Sequence, residues 1–505
     1  MKENYLEKIQ NSRVYGLAKE TSLDFAANLS RRLNVNIWLK REDEQAVFSF
    51  KLRGSYNKMA HLSPAALKKG VVAASAGNHA QGVALAAKHL GAHAIIVMPI
   101  TAAQIKIDAV RSHAAEVILE GDNFDAAYQY ARTLCTARGL TFIHAYDDPD
   151  VIAGQGTVAL EILKQRPQQI DAIFVPIGGG GLIAGIASYV KAVRPEIKII
   201  GVEPNDADAM YRSIKAGKRI VLDHVGLFAD GVAIRQVGEI TFSLVQQYVD
   251  DIILVSNDEI CAAIKDIFED TRSIMEPSGA LAVAGIKKYR QGNTRLSGQE
   301  WVAITSGANM NFDRLRHVSE RAEIGERREA ILAVTIPEKV GSFRQFCSLL
   351  GSHSITEFNY RYSGTAKAHI FVGLQIQSGG KDIAKLVADL IQQGYETLDM
   401  TDNEMAKLHI RHLVGGRAPN ALHEILYRFE FPERPGALMN FLNKMGQTWN
   451  ISLFHYRNHG TDFGRVLVGM QVPPQEKADF ESFLASLGYE YAEETCNPAY
   501  KLFLS

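Results

Sequence analysis

Between Val71 and Ser306 the chain repeats one pattern: a short apolar run, a glycine or serine turn, then a stretch with helical spacing. The runs are Val71-Val-Ala-Ala, Ala94-Ile-Ile-Val-Met, Glu116-Val-Ile-Leu, Ala172-Ile-Phe-Val-Pro-Ile, Ile197-Lys-Ile-Ile-Gly-Val and Trp301-Val-Ala-Ile-Thr. They are too short for helices and apolar on both faces, as strands covered from both sides must be. Between them lie stretches such as Ala80-Gln-Gly-Val-Ala-Leu-Ala-Ala-Lys-His-Leu, which stops at Gly91 as a helix often does. Strands alternating with helices predict an α/β domain built on parallel sheet.

The pattern changes near residue 319. Ser319-Glu-Arg-Ala-Glu-Ile-Gly-Glu-Arg-Arg-Glu is rich in charge and reads as a neck helix or as a solvated face. An internal repeat follows. Pro337-Glu338, Gly341, Ile355, Phe358, Tyr360-Arg361, Gly364-Thr365, Val372-Gly373 and Gln375 return as Pro432-Glu433, Gly436, Ile451, Phe454, Tyr456-Arg457, Gly460-Thr461, Val468-Gly469 and Gln471. The offset is 95 residues at the start and 96 afterward, a single insertion. Two copies of one small module are expected. Each reads strand, helix, strand, strand, helix, strand, an α+β unit of roughly seventy-five residues, with Gly415-Gly-Arg-Ala-Pro-Asn420 as the joint.

Charge narrows the function classes. In 505 residues, 55 lysines and arginines balance 56 aspartates and glutamates, a net charge of −1. That argues against a nucleic-acid coat, a polybasic membrane anchor or an acidic tail. Cys135, Cys261, Cys347 and Cys496 stand far apart with no C-x-x-C pair, which argues against a disulfide scaffold or a zinc ribbon and fits a reducing compartment. The first residues are charged and no apolar run has the length of a membrane span, so a cytoplasmic protein is expected.

Three local features bear on chemistry. Lys51 sits in Ser49-Phe-Lys-Leu-Arg-Gly54, between two apolar residues. Most lysines are solvated surface groups, yet an apolar setting lowers the amine's pKa, as a Schiff-base lysine requires. Gly178-Gly179-Gly180-Gly181 follows an apolar run and precedes the helix pattern Leu182-Ile-Ala-Gly-Ile-Ala-Ser-Tyr-Val. A glycine run elsewhere reads as a linker; between strand and helix it exposes N–H groups at the positive end of the helix dipole, a cradle for a monophosphate. Neither G-x-x-x-x-G-K-[ST] nor a dinucleotide fingerprint occurs there. Ser75-Ala-Gly-Asn-His-Ala-Gln-Gly82 also joins an apolar run to a helix and can offer N–H groups to a carboxylate; the plain alternatives are an N-cap turn and a structural His79. Ser306-Gly-Ala-Asn309 repeats the strand-to-turn logic.

In order, Lys51 in SFKLRG, SAGNHAQG at Ser75–Gly82, the tetraglycine loop, Glu276-Pro-Ser-Gly-Ala280 and Ser306 resemble the pyridoxal-phosphate enzymes of the tryptophan-synthase-β group, and within it the serine/threonine dehydratases. The repeats resemble the ACT-like regulatory pair of the biosynthetic threonine dehydratases, so the resemblance covers nearly the whole chain. It implies a two-lobed parallel-sheet pyridoxal-phosphate domain over residues 1–320, followed by ACT-like modules over 329–404 and 423–498. It implies that Lys51 carries pyridoxal 5'-phosphate and takes the substrate α-proton, with Phe50 beside the ring. Gly178, Gly179, Gly180, Gly181 and Leu182 are then expected at the phosphate, Asn78 at the ring hydroxyl, Ser306 at the ring nitrogen and Glu276 close by. Ser75, Ala76, Gly77 and His79 are expected at the substrate carboxylate. The implied reaction is conversion of L-threonine to 2-oxobutanoate and ammonia at the start of isoleucine synthesis. Serine is a rival substrate, and a non-catalytic amino-acid sensor is a rival of another class.

Two departures from serine racemase bear on side activities. Ala76 stands where the racemase has a second serine, and Ala209 where its divalent-cation site has an acidic residue after Glu203, so neither racemisation nor a metal is expected. The regulatory resemblance implies isoleucine and valine as effectors, a homotetramer, and an effector site near Phe343, Tyr360, Leu438 and Tyr456, aromatics that in themselves also suit a plain core.

Overall fold

The structure, a computed structural model, describes residues 3–504 apart from 101, 103, 123, 294–295, 313, 352, 363–365, 377–379, 404–405, 408–409, 413–414, 417, 433–436, 447, 458–462, 498–499 and 501–503. It divides into two units, Met1–Gly325 and Glu326–Ser505. Of the expected repeat pairs, Gly364-Thr365, Glu433, Gly436 and Gly460-Thr461 lie outside the described residues, as does Arg417 in the expected joint.

The apolar runs of the first unit form two sheets. Across the larger one lie Leu23–Phe25, Asn36–Arg41, Glu300–Thr305, Ala172–Pro176, Lys198–Pro204 and Asp251–Val255. Only the first pairs antiparallel. The smaller sheet is parallel throughout, in the order Glu116–Leu119, Ala94–Met98, Val71–Ala74 and Thr141–Phe142. The central strands are buried along their whole length, which their lack of polar–apolar alternation requires. Glu116–Leu119 departs from the expectation of two covered faces: it is the sheet's edge, and both its ends are exposed.

One helix of the first unit begins with Lys51 itself. Lys51–Ala60 carries Arg53, whose guanidinium bonds Glu42 at 2.7 Å through both Nε and Nη2, and Glu161 at 2.9 Å. Lys40, from the larger sheet, meets the same Glu161 at 2.7 Å. All four side chains are fully buried. Thr21 donates to Glu42 at 2.7 Å and Tyr15 to Glu161 at 2.9 Å, so the N-terminal segment is fastened to the same charges.

The charge-rich stretch near residue 319 is no solvated face. Helix Arg314–Gly325 buries Val318, Ala322 and Ile324, packs on helix Asn257–Thr271 and pairs Arg321 with Asp258 at 2.9 Å.

In the second unit each repeat forms the expected strand–helix–strand–strand–helix–strand module. The strands make one antiparallel sheet: Glu396–Asp399, Glu329–Pro337, Lys367–Gln375, Ile355–Arg361, Asn450–Arg457, Phe463–Gln471, Glu424–Pro432, Glu490–Glu493. The modules meet strand to strand in the middle, Tyr360 opposite Phe454 and Phe358 opposite Tyr456. Their likeness extends to a register shift between Ile355 and Glu357, repeated between Ile451 and Leu453. The hydroxyls inside those shifts, Thr356 and Ser452, bond the equivalent carboxylates Glu329 and Glu424.

Arg53→Met would leave Glu42 and Glu161 buried around a single lysine. Breaking such a network from one side costs about 3–5 kcal/mol, so the urea midpoint of the full chain should fall markedly, whereas exposed Arg316→Met should leave it unchanged.

Candidate active site

In a parallel sheet the loops that follow the strands gather at one end, where ligands bind. Here Val71–Ala74 leads into Ser75-Ala-Gly-Asn78, Ala172–Pro176 into the glycine loop, and Glu300–Thr305 into Ser306. Between the two sheets lies a cleft of about 670 Å³, whose walls include Lys51, Ser75, Asn78, Tyr146 and Glu276. At its floor a smaller chamber is lined by Phe50, Lys51, Asn78, Gly178 to Leu182, Glu276 and Ser306. Residues as much as 256 positions apart in sequence thus share one wall.

The glycine loop is shaped by its neighbours. A Cβ at Gly179 would collide with the Tyr146 ring, one at Gly181 would crowd the Tyr146 backbone at 3.0 Å, and one at Gly178 would lie 2.9 Å from the Val232 Cα. Gly180 has φ +94°, a conformation that side chains resist. Helix Gly181–Val193 follows without a side-chain cap. Among the described residues, no N–H of Gly178 to Leu182 has an acceptor. These are free donors at a helix start, suited to an anion.

Lys51 keeps part of its surface open to the cleft and donates to the Ala145 carbonyl at 3.1 Å. Burial lowers its amine to about 8, against the opposing pull of Glu276. Burial, with the Asp230 charge, pushes the Glu276 carboxyl up to about 7, opposed by the Asn78 hydrogen bond and by Lys106 and Arg314. Asn78 is fixed at both ends: its amide donates to Glu276 at 2.6 Å, and its carbonyl accepts from Asn309 at 2.6 Å. Asn309 donates in turn to Val47 O at 2.8 Å. The Ser306 hydroxyl donates to the Ser278 carbonyl at 3.3 Å, and the buried Ser278 hydroxyl beside it has no protein partner.

The Ser75-to-His79 loop divides its roles. Ser75 Oγ accepts from Gly77 N–H at 3.2 Å, which shapes the turn, and helix Asn78–Leu90 starts there uncapped by any side chain. The His79 ring lies in the core, between Ser55 at 3.3 Å and the Ile143 carbonyl at 2.9 Å. Burial, with the nearby charge of Lys51, lowers its pKa to about 3, so it stays neutral. Glu203 is also buried. It accepts from Met210 and Tyr211 N–H at 3.0 and 2.8 Å, and burial pushes it up to about 8. Among the described residues no cluster of three or more His, Cys, Asp or Glu could hold a metal.

In the second unit, Phe343 is buried with ring centroids 5.0 Å from Phe358, 5.4 Å from Tyr360 and 5.3 Å from Phe454. Tyr360 donates to Glu338, while Leu438 and Tyr456 are half-buried against the same core. The four residues lie on both sides of the seam between modules.

Residues 14–307 match the family described as pyridoxal-phosphate dependent enzyme, and 320–410 and 415–504 match the C-terminal regulatory domain of threonine dehydratase. L-threonine dehydratase biosynthetic IlvA of Burkholderia multivorans is 59% identical over 505 residues, 99% of each chain. The chain belongs to the biosynthetic threonine dehydratases. The processed form of threonine deaminase isoform 2 from Solanum lycopersicum aligns with 63% of this chain and 88% of its own, at 51% identity and a TM-score of 0.62. Maize serine racemase aligns with 62% and 96%, at 33% identity and a TM-score of 0.59. The resemblance and fold class expected from sequence are borne out.

The chamber suits the cofactor of this family. It offers free N–H groups for a phosphate, an amine of lowered pKa, and a buried Ser278 hydroxyl awaiting a partner. Sequence reasoning quoted Ser278 and Asn309 inside motifs but assigned them nothing, and it passed over Tyr146. Nothing local marks these three; their place depends on loops that meet from different strands.

Lys51 also sets a pH dependence. Its charged form is disfavoured in the folded, cofactor-free chain below about pH 8. That cost fades as the pH climbs toward 10.5, where the unfolded chain loses the proton too. Lys51→Met should therefore stabilise the cofactor-free protein at neutral pH, with the gain shrinking above pH 8 in urea unfolding series.

Proposed function

We propose that this chain dehydrates and deaminates L-threonine to 2-oxobutanoate and ammonia, the first step toward isoleucine. One observation carries the reading: Lys51, Asn78, the glycine loop and Ser306 line one chamber in a chain whose full-length relatives are named threonine dehydratases. Residues 1–320 form the catalytic domain, and 329–404 and 423–498 the regulatory modules. The protein works in the cytoplasm as a homotetramer, with isoleucine and valine as effectors near Phe343, Tyr360, Leu438 and Tyr456. Half-burial of Leu438 and Tyr456 supports the effector site.

Pyridoxal phosphate supplies an aldehyde that joins amino groups and a ring that takes up negative charge at the substrate α-carbon. Gly178 to Leu182 would hold its phosphate, Asn78 its ring hydroxyl and Ser306 its ring nitrogen, with Phe50 beside it and Glu276 steadying Asn78. Burial already lowers the Lys51 amine to about 8 in the empty site, which favours the neutral form that would take the α-proton. Ser75, Ala76, Gly77 and the backbone at His79 receive the substrate carboxylate. The His79 side chain moves no proton, because its ring is turned into the core. Ser306 would offer the ring nitrogen a neutral hydroxyl rather than a carboxylate.

The experiment is 2-oxo acid formation from threonine and from serine, with and without isoleucine. Threonine should be the better substrate, although one methyl group in a pocket is worth only about 1–3 kcal/mol. Lys51→Ala should lose both turnover and the yellow of bound cofactor. Tyr456→Ala should weaken isoleucine inhibition and spare turnover without it. A colourless, inactive parent that still binds isoleucine would establish a sensor instead.

A further inference from the structure

The glycine loop is fastened by a residue that is no part of the chamber wall. The buried Thr241 hydroxyl donates to the Gly179 carbonyl at 2.7 Å. Thr241 is absent from the chamber wall, whereas Gly178 to Leu182 form part of it. No peptide here is cis, and a trans peptide points its C=O and N–H in opposite directions. Drawing the Gly179 carbonyl toward Thr241 therefore turns the Gly180 N–H away from Thr241, where it has no acceptor among the described residues. Thr241 itself stands in the first turn of helix Glu239–Tyr248. The Asp147 carboxylate caps that turn, accepting from Glu239 and Ile240 N–H at 2.9 Å and from Thr241 N–H at 3.2 Å. Asp147 is held by its own N–H, which donates to His144 Nδ1 at 2.8 Å. Its chain neighbour Tyr146 fills the space that the missing Cβ atoms of Gly179 and Gly181 leave.

We propose that Thr241, fixed by Asp147, is a positioning residue for the phosphate cradle: its hydroxyl sets the peptide plane whose N–H faces the anion. The proposal rests on the cofactor reading above. It concerns the 5'-phosphate alone, because the hydrogen bond acts on the loop and on nothing that surrounds the ring. Losing it leaves the Gly179 carbonyl with only the long contact from Gly238 N–H at 3.5 Å, which holds the peptide plane less firmly.

The test titrates full-length chain, stripped of cofactor, with pyridoxal phosphate and in parallel with pyridoxal, which has no phosphate. Thr241→Val keeps the shape and removes the hydroxyl. It should bind pyridoxal phosphate about tenfold more weakly than the parent, as expected when a buried carbonyl loses the shorter of its two hydrogen bonds. Pyridoxal should bind parent and variant alike, and Thr241→Ser should restore the parent's phosphate affinity. Unchanged pyridoxal-phosphate affinity in Thr241→Val overturns the proposal. So does equal weakening toward both ligands, which marks a general structural defect, or a Thr241→Ser variant as weak as Thr241→Val, which marks packing of the methyl. A parent that binds neither compound overturns the cofactor reading and this proposal together.

Discussion

Everything in the first unit is referred to four charges that never meet water. Lys40 comes from the larger sheet, Glu42 from the turn after it, Arg53 from the helix that Lys51 opens, and Glu161 from helix Pro149–Gln165. Two positive and two negative groups cancel, and the bidentate arginine leaves few lone pairs unanswered. Such a cluster adds little net stability over an apolar core, since desolvation offsets most of the attraction. What it does impose is geometry. Arg53 lies two residues beyond Lys51, so the angle of that helix, and with it the lysine amine, is tied to fixed points on a strand and on another helix.

Around that fixed amine the site is organised by division of labour between backbone and side chain. The glycine loop and the start of helix Asn78–Leu90 contribute N–H groups, and side chains there serve mainly to shape the turns. Asn78 is the exception. Clamped between Glu276 and Asn309, it cannot swing, so its amide faces one way in every molecule. His79, the most chemically versatile residue in the motif, is spent on joining the helix to the Ile143 carbonyl.

How far the sequence reaches is visible in individual elements. The strand runs inside the α/β pattern were legible because parallel strands need apolar residues on both faces, and the repeat was legible because its turns recur in register. Asn36–Arg41 escaped notice, since its Lys40 and Arg41 look like a surface end. They are buried, and permitted to be, by Glu161 and by Asp43 at 2.8 Å. Thr141–Phe142 is too short to leave a pattern. At the site, residues that define a local motif were found, whereas Thr241 and Asp147 act across 62 and 94 positions of sequence and carry no motif. Long-range hydrogen bonds are a property of the fold and are written in no window of the chain.

The shared sheet of the second unit has a consequence for how such a pair of modules can change over time. Its two outer strands, Glu396–Asp399 and Glu490–Glu493, are four residues long and begin and end with acidic groups, a combination that repels further strands. Its inner strands, Ile355–Arg361 and Asn450–Arg457, hide each other. Deleting one module would bare the backbone N–H and C=O groups of a full-length strand of mixed polarity, an invitation to aggregate. The duplication therefore makes each copy the cover of the other's open edge, so the two are bound to one fate at the seam.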